Sequence, residues 1–463
     1  MAQGKKTPVV ARAARRATPR AARVVNNGHF RVRVRMYRQG LGDCFLVTLP
    51  RDDGSPFYLM IDCGVILGTP DAAKKMTDVV DDIAHTTGGR LDVLAATHEH
   101  WDHLSGFVQA KAAFSKLKVD QVWLAWTEDP DDSLARTLRA EHTALRTALT
   151  AAVNHMRLTG SAGEVDDVAD LLGLFGAQQS GTTTDALNEV KRLAAPRYCR
   201  PTDPPISLEN VSARVYVLGP PHDEKMIHKY NPSKSQPETY GLAAADVFLA
   251  GAGAALLDAD ATAPFDVPCR IPTQAARQIG FFQTHYWGED RESSERDQGW
   301  RRIDDAWLDA SSNLALQLDS ATNNTCLVLA IELSGGDVLI FAADAQVGNW
   351  LSWQDLSWSV DGHRVTGPDL LRRAIFYKVG HHGSHNATLK EKGLELMASL
   401  KVAMIPVDHE MAVKKRWGKM PLPALVTRLD EITKGGVLRI DGSVPQSLAR
   451  QIKSTPLFYE IEF

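Results

Sequence analysis

Residues 97–103 read Thr-His-Glu-His-Trp-Asp-His and directly follow the apolar run Leu91–Ala96. Imidazole and carboxylate groups at this density suit zinc, manganese or iron. His98 and His100 stand two apart, so in extended backbone they leave the chain on one side and can grip one ion. Asp102 and His103 follow closely enough to reach a second. The competing account is a surface loop rich in histidine by chance, and three histidines with an aspartate in six positions make it the weaker one.

Three other places repeat this setting. Asp62 ends the run Tyr58–Ile61, Asp344 follows Val338–Ala343, and His381 and His382 follow Phe376–Gly380. Each stands just past a buried strand, where α/β sheets collect ligands. Asp344 taken alone reads equally well as a turn residue. Convergence with the histidine cluster explains all three together. Neighbouring residues at a strand end point opposite ways, so one of His381 and His382 is expected at the metal, with His381 preferred. Ser384 and His385 could meet a leaving group or phosphate, though Ser384 would also serve as a helix N-cap. His142 and His155 lie in helical sequence and read as packing or surface residues. Trp350, Trp353 and Trp358 read as core rather than as platforms for bases.

The elements that must position these residues follow from periodicity and turn chemistry. Phe30–Met36 alternates apolar and basic, like a half-exposed strand. Strands are expected at Cys44–Leu49, Phe57–Ile61, Leu91–Ala96, Val211–Leu218, Thr325–Leu333, Asp337–Ala342, Ile375–Val379, Val402–Ile405 and Val437–Ile440. Helices are expected over 71–86, through most of 131–195 and over 421–432. Two groups of strands, each followed by helices, predict an α/β fold of two sheets with helices outside, an α/β/β/α sandwich. The division expected is a basic disordered tail over 1–29, a first half over 30–130, a helical insertion over 131–195, a strand region over 196–221, a long irregular insertion over 222–312 and a second half over 313–463.

With 463 residues, 44% of them hydrophobic and 23% charged, the chain is globular and long enough for one α/β domain with insertions. No apolar run nears the roughly 18 residues that span a bilayer, so no membrane segment is expected. Five cysteines without CxxC spacing exclude a disulfide framework and a cysteine knuckle, and fit a reducing, cytoplasmic setting. The Ala-, Arg- and Asp-rich composition points to a bacterial protein. The net charge of −4 divides into +7 over residues 1–27 and −11 over the rest. A solvated arm accounts for that tail, and contact with nucleic acid is the sharper alternative.

The cluster His98-x-His100-x-Asp102-His103 resembles the signature of the metallo-β-lactamase fold superfamily. More narrowly, the order of motifs resembles the hydrolase domain of ComEC-type competence proteins. Gln39–Asp43 is similar to its VGQGD, Ile61–Gly64 to IDxG, Asn323–Leu329 to NNxSLVL, Phe341–Ala345 to FTGDA and Lys378–Ser384 to KVxHHGS. Val217–Pro220 is similar to VLHP, with Gly219 where the family has His, and Trp417–Pro421 lacks the family's late His.

The resemblance implies a metallo-β-lactamase sandwich and a dinuclear hydrolase, with a metal-bound hydroxide as nucleophile. His98 and His100 would hold one ion. Asp102, His103 and His381 would hold the other, with Asp344 bridging through its two oxygens. Asp62 and Thr97 would orient the ligands, and Asp102, His382 and His385 are the candidate catalytic groups. His222 is the candidate third histidine of the first ion. Two divalent ions, zinc foremost with manganese or iron as alternatives, would activate a shared water. A phosphodiesterase or nuclease is the leading expectation. Hydrolysis of a small phosphodiester, lactone, amide or thioester is the alternative. A third reading is a partner-gated subunit that uses residues 131–312 as a protein-binding surface.

Overall fold

The computed structural model describes residues 31–159, 172–177, 181–229, 271, 273–287, 318–415, 417 and 420–463. The tail over 1–29 and most of 222–312 lie outside the described residues.

Two large mixed sheets organise the described chain. In the first, Arg33–Tyr37, Phe45–Pro50 and Pro56–Ile61 form an antiparallel meander, and Arg90–Ala95, Lys118–Ala125 and Pro196–Cys199 continue it in parallel. In the second, Arg214–Gly219, Val328–Glu332 and Val338–Phe341 are antiparallel neighbours, extended in parallel by Ala374–Lys378, Val402–Ile405 and Val437–Arg439. Ile206–Ser207 forms the far edge of this second sheet.

The alternation of each strand sorts its side chains into layers. Val47, Leu59 and Val93 of the first sheet meet Leu329, Phe341 and Phe376 of the second in one cluster between the sheets. The outer face of the first sheet offers Met60, Leu94 and Val122 to helices Ala72–Thr87, Trp101–Gln109 and Thr183–Leu193. The outer face of the second offers Ile340, Tyr377 and Ala403 to Val347–Ser352, Gly367–Arg372 and Pro423–Thr433. The result is an α/β sandwich with helices outside. Each fully buried Val, Leu or Phe in it contributes on the order of 1.5–3 kcal/mol relative to exposure. Trp350, Trp353 and Trp358 are buried in the outer core of the second sheet.

Three features depart from the expected pattern. Lys118–Ala125 is a strand that the sequence reading omitted, and Pro196–Cys199 is one within the strand region expected over 196–221 that was given no bounds of its own. Ile452–Ser454 and Phe458–Glu462 return to the first sheet, the latter antiparallel to Arg33–Tyr37. This return also changes the expected half-exposed strand. Arg35 is buried, held by Glu460 at 2.7 Å and Asp82 at 2.5 Å, because the last strand lies beside it and helix Ala72–Thr87 above it.

Parallel pairing positions the site. Pro56–Ile61 and Arg90–Ala95 run side by side in one sheet, as do Val338–Phe341 and Ala374–Lys378 in the other. Their C-terminal ends deliver Asp62, His98, Asp344 and His382 to the same edge.

Candidate metal centre

Beyond each strand the chain turns sharply. Asp62, Ala343, His381 and His382 all have positive φ, between 44° and 55°. Non-glycine residues held there cost on the order of 1 kcal/mol or more each and gather at functional sites. His100 is the extended N-cap of helix Trp101–Gln109, and Asp102 lies in its first turn, where the helix dipole favours a carboxylate. The loops are knitted by backbone bonds: Asp43 N–H donates to Asp102 O at 3.0 Å and Cys63 N–H to His103 O at 2.8 Å. Gly64 permits this approach, since a Cβ there would lie 2.3 Å from the Asp102 carbonyl carbon.

Asp102, His103, Asp344 and His382 converge, all buried, with one ligand atom from each within 4.8 Å of the others. His382 Nε2 is 2.9 Å from Asp102 Oδ2 and 3.5 Å from Asp344 Oδ2. His103 Nε2 is 3.2 Å from Asp344 Oδ2. Both rings present Nε2 because Nδ1 is engaged elsewhere. His103 Nδ1 pairs with Asp62 Oδ2 at 2.8 Å, and His382 Nδ1 donates to Pro406 O at 2.8 Å. Such outer bonds select the tautomer and aim a ligand ring. Asp62 also accepts from the Thr97 N–H and hydroxyl, each at 2.7 Å. That hydroxyl faces His98 Nδ1 at 3.0 Å, and His98 Nε2 meets His100 Nδ1 at 3.0 Å.

Asp102 Oδ1 and His100 Nε2 are buried with no hydrogen-bond partner. An orphaned buried polar group costs about 1–3 kcal/mol. A divalent cation ligated by imidazole and carboxylate would satisfy this donor set, so the residues present fit one.

The structure corrects several expected placements. His382, not His381, stands in the four-residue group, and His381 Nε2 faces Asn323 Nδ2 at 3.3 Å. The strand ends at Lys378, so side-chain alternation does not extend to these two left-handed residues. His222 is 43% exposed, held by Asp132 at 2.9 Å and stacked on Trp126, away from the centre. His385 is exposed past the turn and outside the group. Asp344 stands in the group as expected, with Oδ1 facing Lys378 Nζ at 3.2 Å and Oδ2 facing His103 and His382.

Lys378, Asp43 and Asp319 are the residues that sequence reasoning passed over as site groups. Lys378 Nζ reaches Asp43 Oδ2 at 2.5 Å and donates to Ala343 O at 2.7 Å, and its side chain is buried. The available signal was a lysine closing an otherwise apolar strand and an aspartate closing the Gly40–Asp43 turn. Asp319, on the helical stretch 318–324, lies 3.9 Å from His100 Nε2. Nothing in its sequence context singles it out.

Burial lowers the His98 imidazole far below its usual range and His100 to about 3, so both are neutral and hold lone pairs for a metal. Burial raises the Asp319 carboxyl to about 8, with Asp102 and Asp344 adding to the effect. Burial also opposes charge on Asp102, yet His103 and His382 outweigh it and hold that carboxyl at about 2. His103 and His382 are raised despite burial, chiefly by Asp344. In the metal-free protein these two imidazoles therefore keep a proton to higher pH than free histidine. Ligation requires the neutral ring, so metal binding should release protons and tighten as pH rises. Calorimetric titration with zinc in two buffers of different ionisation enthalpy checks this; identical apparent enthalpies would contradict it.

A cavity of about 220 Å³ flanks the centre, between the metal loop and helices Ser133–Thr159 and Thr183–Leu193. Glu99, between His98 and His100, turns toward it and accepts from Thr183 Oγ1 at 2.9 Å and Thr184 Oγ1 at 2.8 Å. No described helix is long and apolar enough to cross a membrane. Comparison of the chain with protein-family models, curated proteins and solved structures gave no match.

Proposed function

We propose that this chain is a metal-dependent hydrolase of phosphodiesters. The observation that carries the reading is the convergence of Asp102, His103, Asp344 and His382 into one buried group of ligand atoms. The resemblance of His98–His103 and Lys378–Ser384 to the ComEC-type hydrolase motifs supports phosphodiester chemistry in particular. Bound divalent ions would supply Lewis acidity and lower the pKa of water.

The chain's own residues prepare that chemistry. Asp102, His103, Asp344 and His382 would hold one ion, and His98 and His100 offer nitrogens for another. Asp62 and the Pro406 carbonyl fix the two ligand imidazoles in place. His103 and Lys378 keep the Asp344 carboxylate ionised, and Lys378 faces Oδ1 while Oδ2 faces the centre. The two sheets and the helices over them keep this group away from bulk water. A substrate reaching it would exchange solvent for oriented ligands and fixed charges.

The small cavity and the acidic body favour a small phosphodiester over a duplex lying in a groove. The seven cations of the tail are the main argument for a polymer substrate.

The test joins metal analysis by mass spectrometry to hydrolysis of bis-p-nitrophenyl phosphate and of single- and double-stranded DNA. Bound metal with chelator-sensitive cleavage of the small ester is the expected result. Cleavage of DNA would extend the reading to a nuclease. Bound metal with no phosphodiester cleavage would overturn it.

A further inference from the structure

We propose that the cavity beside the metal loop is a substrate subsite that binds a second, terminal phosphate group on one arm of the phosphodiester. This rests on the hydrolase reading and names the substrate class within it.

The cavity's position comes first. It is lined by Glu99 from the metal loop and by Leu318 and Thr322, which flank Asp319. Phe175, also in its wall, packs edge-on against His100 with ring centroids 5.2 Å apart. A group in the cavity is therefore one side chain away from the histidine pair. The opposite wall comes from the helices Ser133–Thr159 and Thr183–Leu193.

Charge decides what fits. Arg139, Arg146 and Lys191 face the cavity against Glu99 and Glu128, an excess of cations in a body that is acidic overall. These cations are only partly neutralised. Arg139 donates to backbone carbonyls, those of Thr127 and of Asp129 (the latter at 3.1 Å), which carry no net charge to cancel its own. Arg146 meets Glu99 Oε1 only at 3.4 Å, and that oxygen already accepts two threonine hydroxyls. Lys191 is 3.2 Å from Glu128. His142 Nε2 is buried in the same wall with no hydrogen-bond partner. Guanidinium forks beside an idle imidazole nitrogen suit the several oxygens of a phosphate better than a neutral or cationic group.

Size limits the rest of the ligand. A cavity of about 220 Å³ takes a single nucleotide-sized arm, not a strand. The scissile diester would lie at the metal-ligand group and the terminal phosphate at Arg139 and Arg146.

Two chromogenic esters that differ by one phosphate isolate the claim. They are the p-nitrophenyl ester of thymidine 5′-phosphate and the same ester bearing a 3′-phosphate. The full chain, loaded with zinc, should give a KM at least about tenfold lower for the 3′-phosphorylated ester, the worth of one charge-assisted contact. In Arg146→Ala and in Arg139→Met that advantage should shrink severalfold, and Arg146→Lys should retain part of it. Circular dichroism confirms that each variant is folded. Equal KM values for the two esters in the wild type, or an advantage that survives both substitutions, overturns the subsite. If bis-p-nitrophenyl phosphate is still cleaved in that case, the hydrolase reading stands without it. Failure to cleave any of the three esters overturns both.

Discussion

Asp102→Ala is expected to leave the chain folded and to lower phosphodiester turnover by at least about 10²–10³-fold, the cost of removing one preorganised electrostatic element. The carboxylate's structural contribution is its bond to the buried His382 imidazole, and the closure of the loop does not depend on it. The bond that ties this loop to its neighbour is the Asp102 backbone carbonyl, which accepts from Asp43 N–H at 3.0 Å and survives the substitution. The side chain instead faces His382 Nε2 at 2.9 Å, and its other oxygen is buried without a partner. Its charge also keeps the neighbouring imidazoles protonated in the metal-free protein. The variant should therefore bind less metal, and its His382 should titrate lower. Metal analysis, turnover of bis-p-nitrophenyl phosphate and circular dichroism on the same sample separate these effects. Wild-type turnover with wild-type metal content would remove Asp102 from the site.

Lys378→Met should be the most damaging single change to stability. The ammonium is buried and shared between Asp43 and Asp344, at 2.5 and 3.2 Å. Methionine keeps much of the volume but leaves Asp43 and Asp344 buried with only the imidazoles of His103 and His382 to oppose their charge. Breaking a buried pair from one side costs about 3–5 kcal/mol. The pH dependence has a definite sign. Burial already raises the Asp43 carboxyl in the folded state, and Lys378 is the largest group opposing that rise, so without it Asp43 rises further and the folded state binds more protons than the unfolded one. The variant's stability should then fall as pH rises and partly recover toward acid. Zinc should also restore some stability, because it binds the folded state and supplies the missing positive charge. Urea unfolding at two pH values, with zinc and with chelator, reads all three effects. A midpoint equal to that of the wild type throughout would show that Lys378 does not hold this cluster together.

Much of the architecture was legible because it rests on local pattern. Runs such as Phe57–Ile61 and Val338–Phe341 are apolar throughout, bounded by turn residues, and read as buried strands without knowledge of their partners. The helix Ala72–Thr87 announces itself by period and by the glycines at 88 and 89. Lys118–Ala125 escaped notice because Lys118, Asp120 and Gln121 interrupt its apolar pattern near the start. The last strand, Phe458–Glu462, escaped because it joins the sheet by pairing with residues more than 400 positions away. Arg35 shows the consequence. Its alternation with valines reads as a wet strand face, and only the arrival of Glu460 makes it a buried ion pair.

The residue types and spacing of 97–103, and ionisable residues placed just beyond apolar strands, were enough to name a candidate metal centre and several residues that converge there. They could do so because ligand chemistry and strand periodicity are properties of a few consecutive residues. Choosing between His381 and His382 took the three-dimensional turn, since both sit in left-handed backbone that no alternation rule describes. The exclusion of His222 took the helix start that brings Asp132 against it. The roles of Asp43, Lys378 and Asp319 took the convergence of separate segments, because burial and charge balance belong to the assembled centre and to no single stretch of chain.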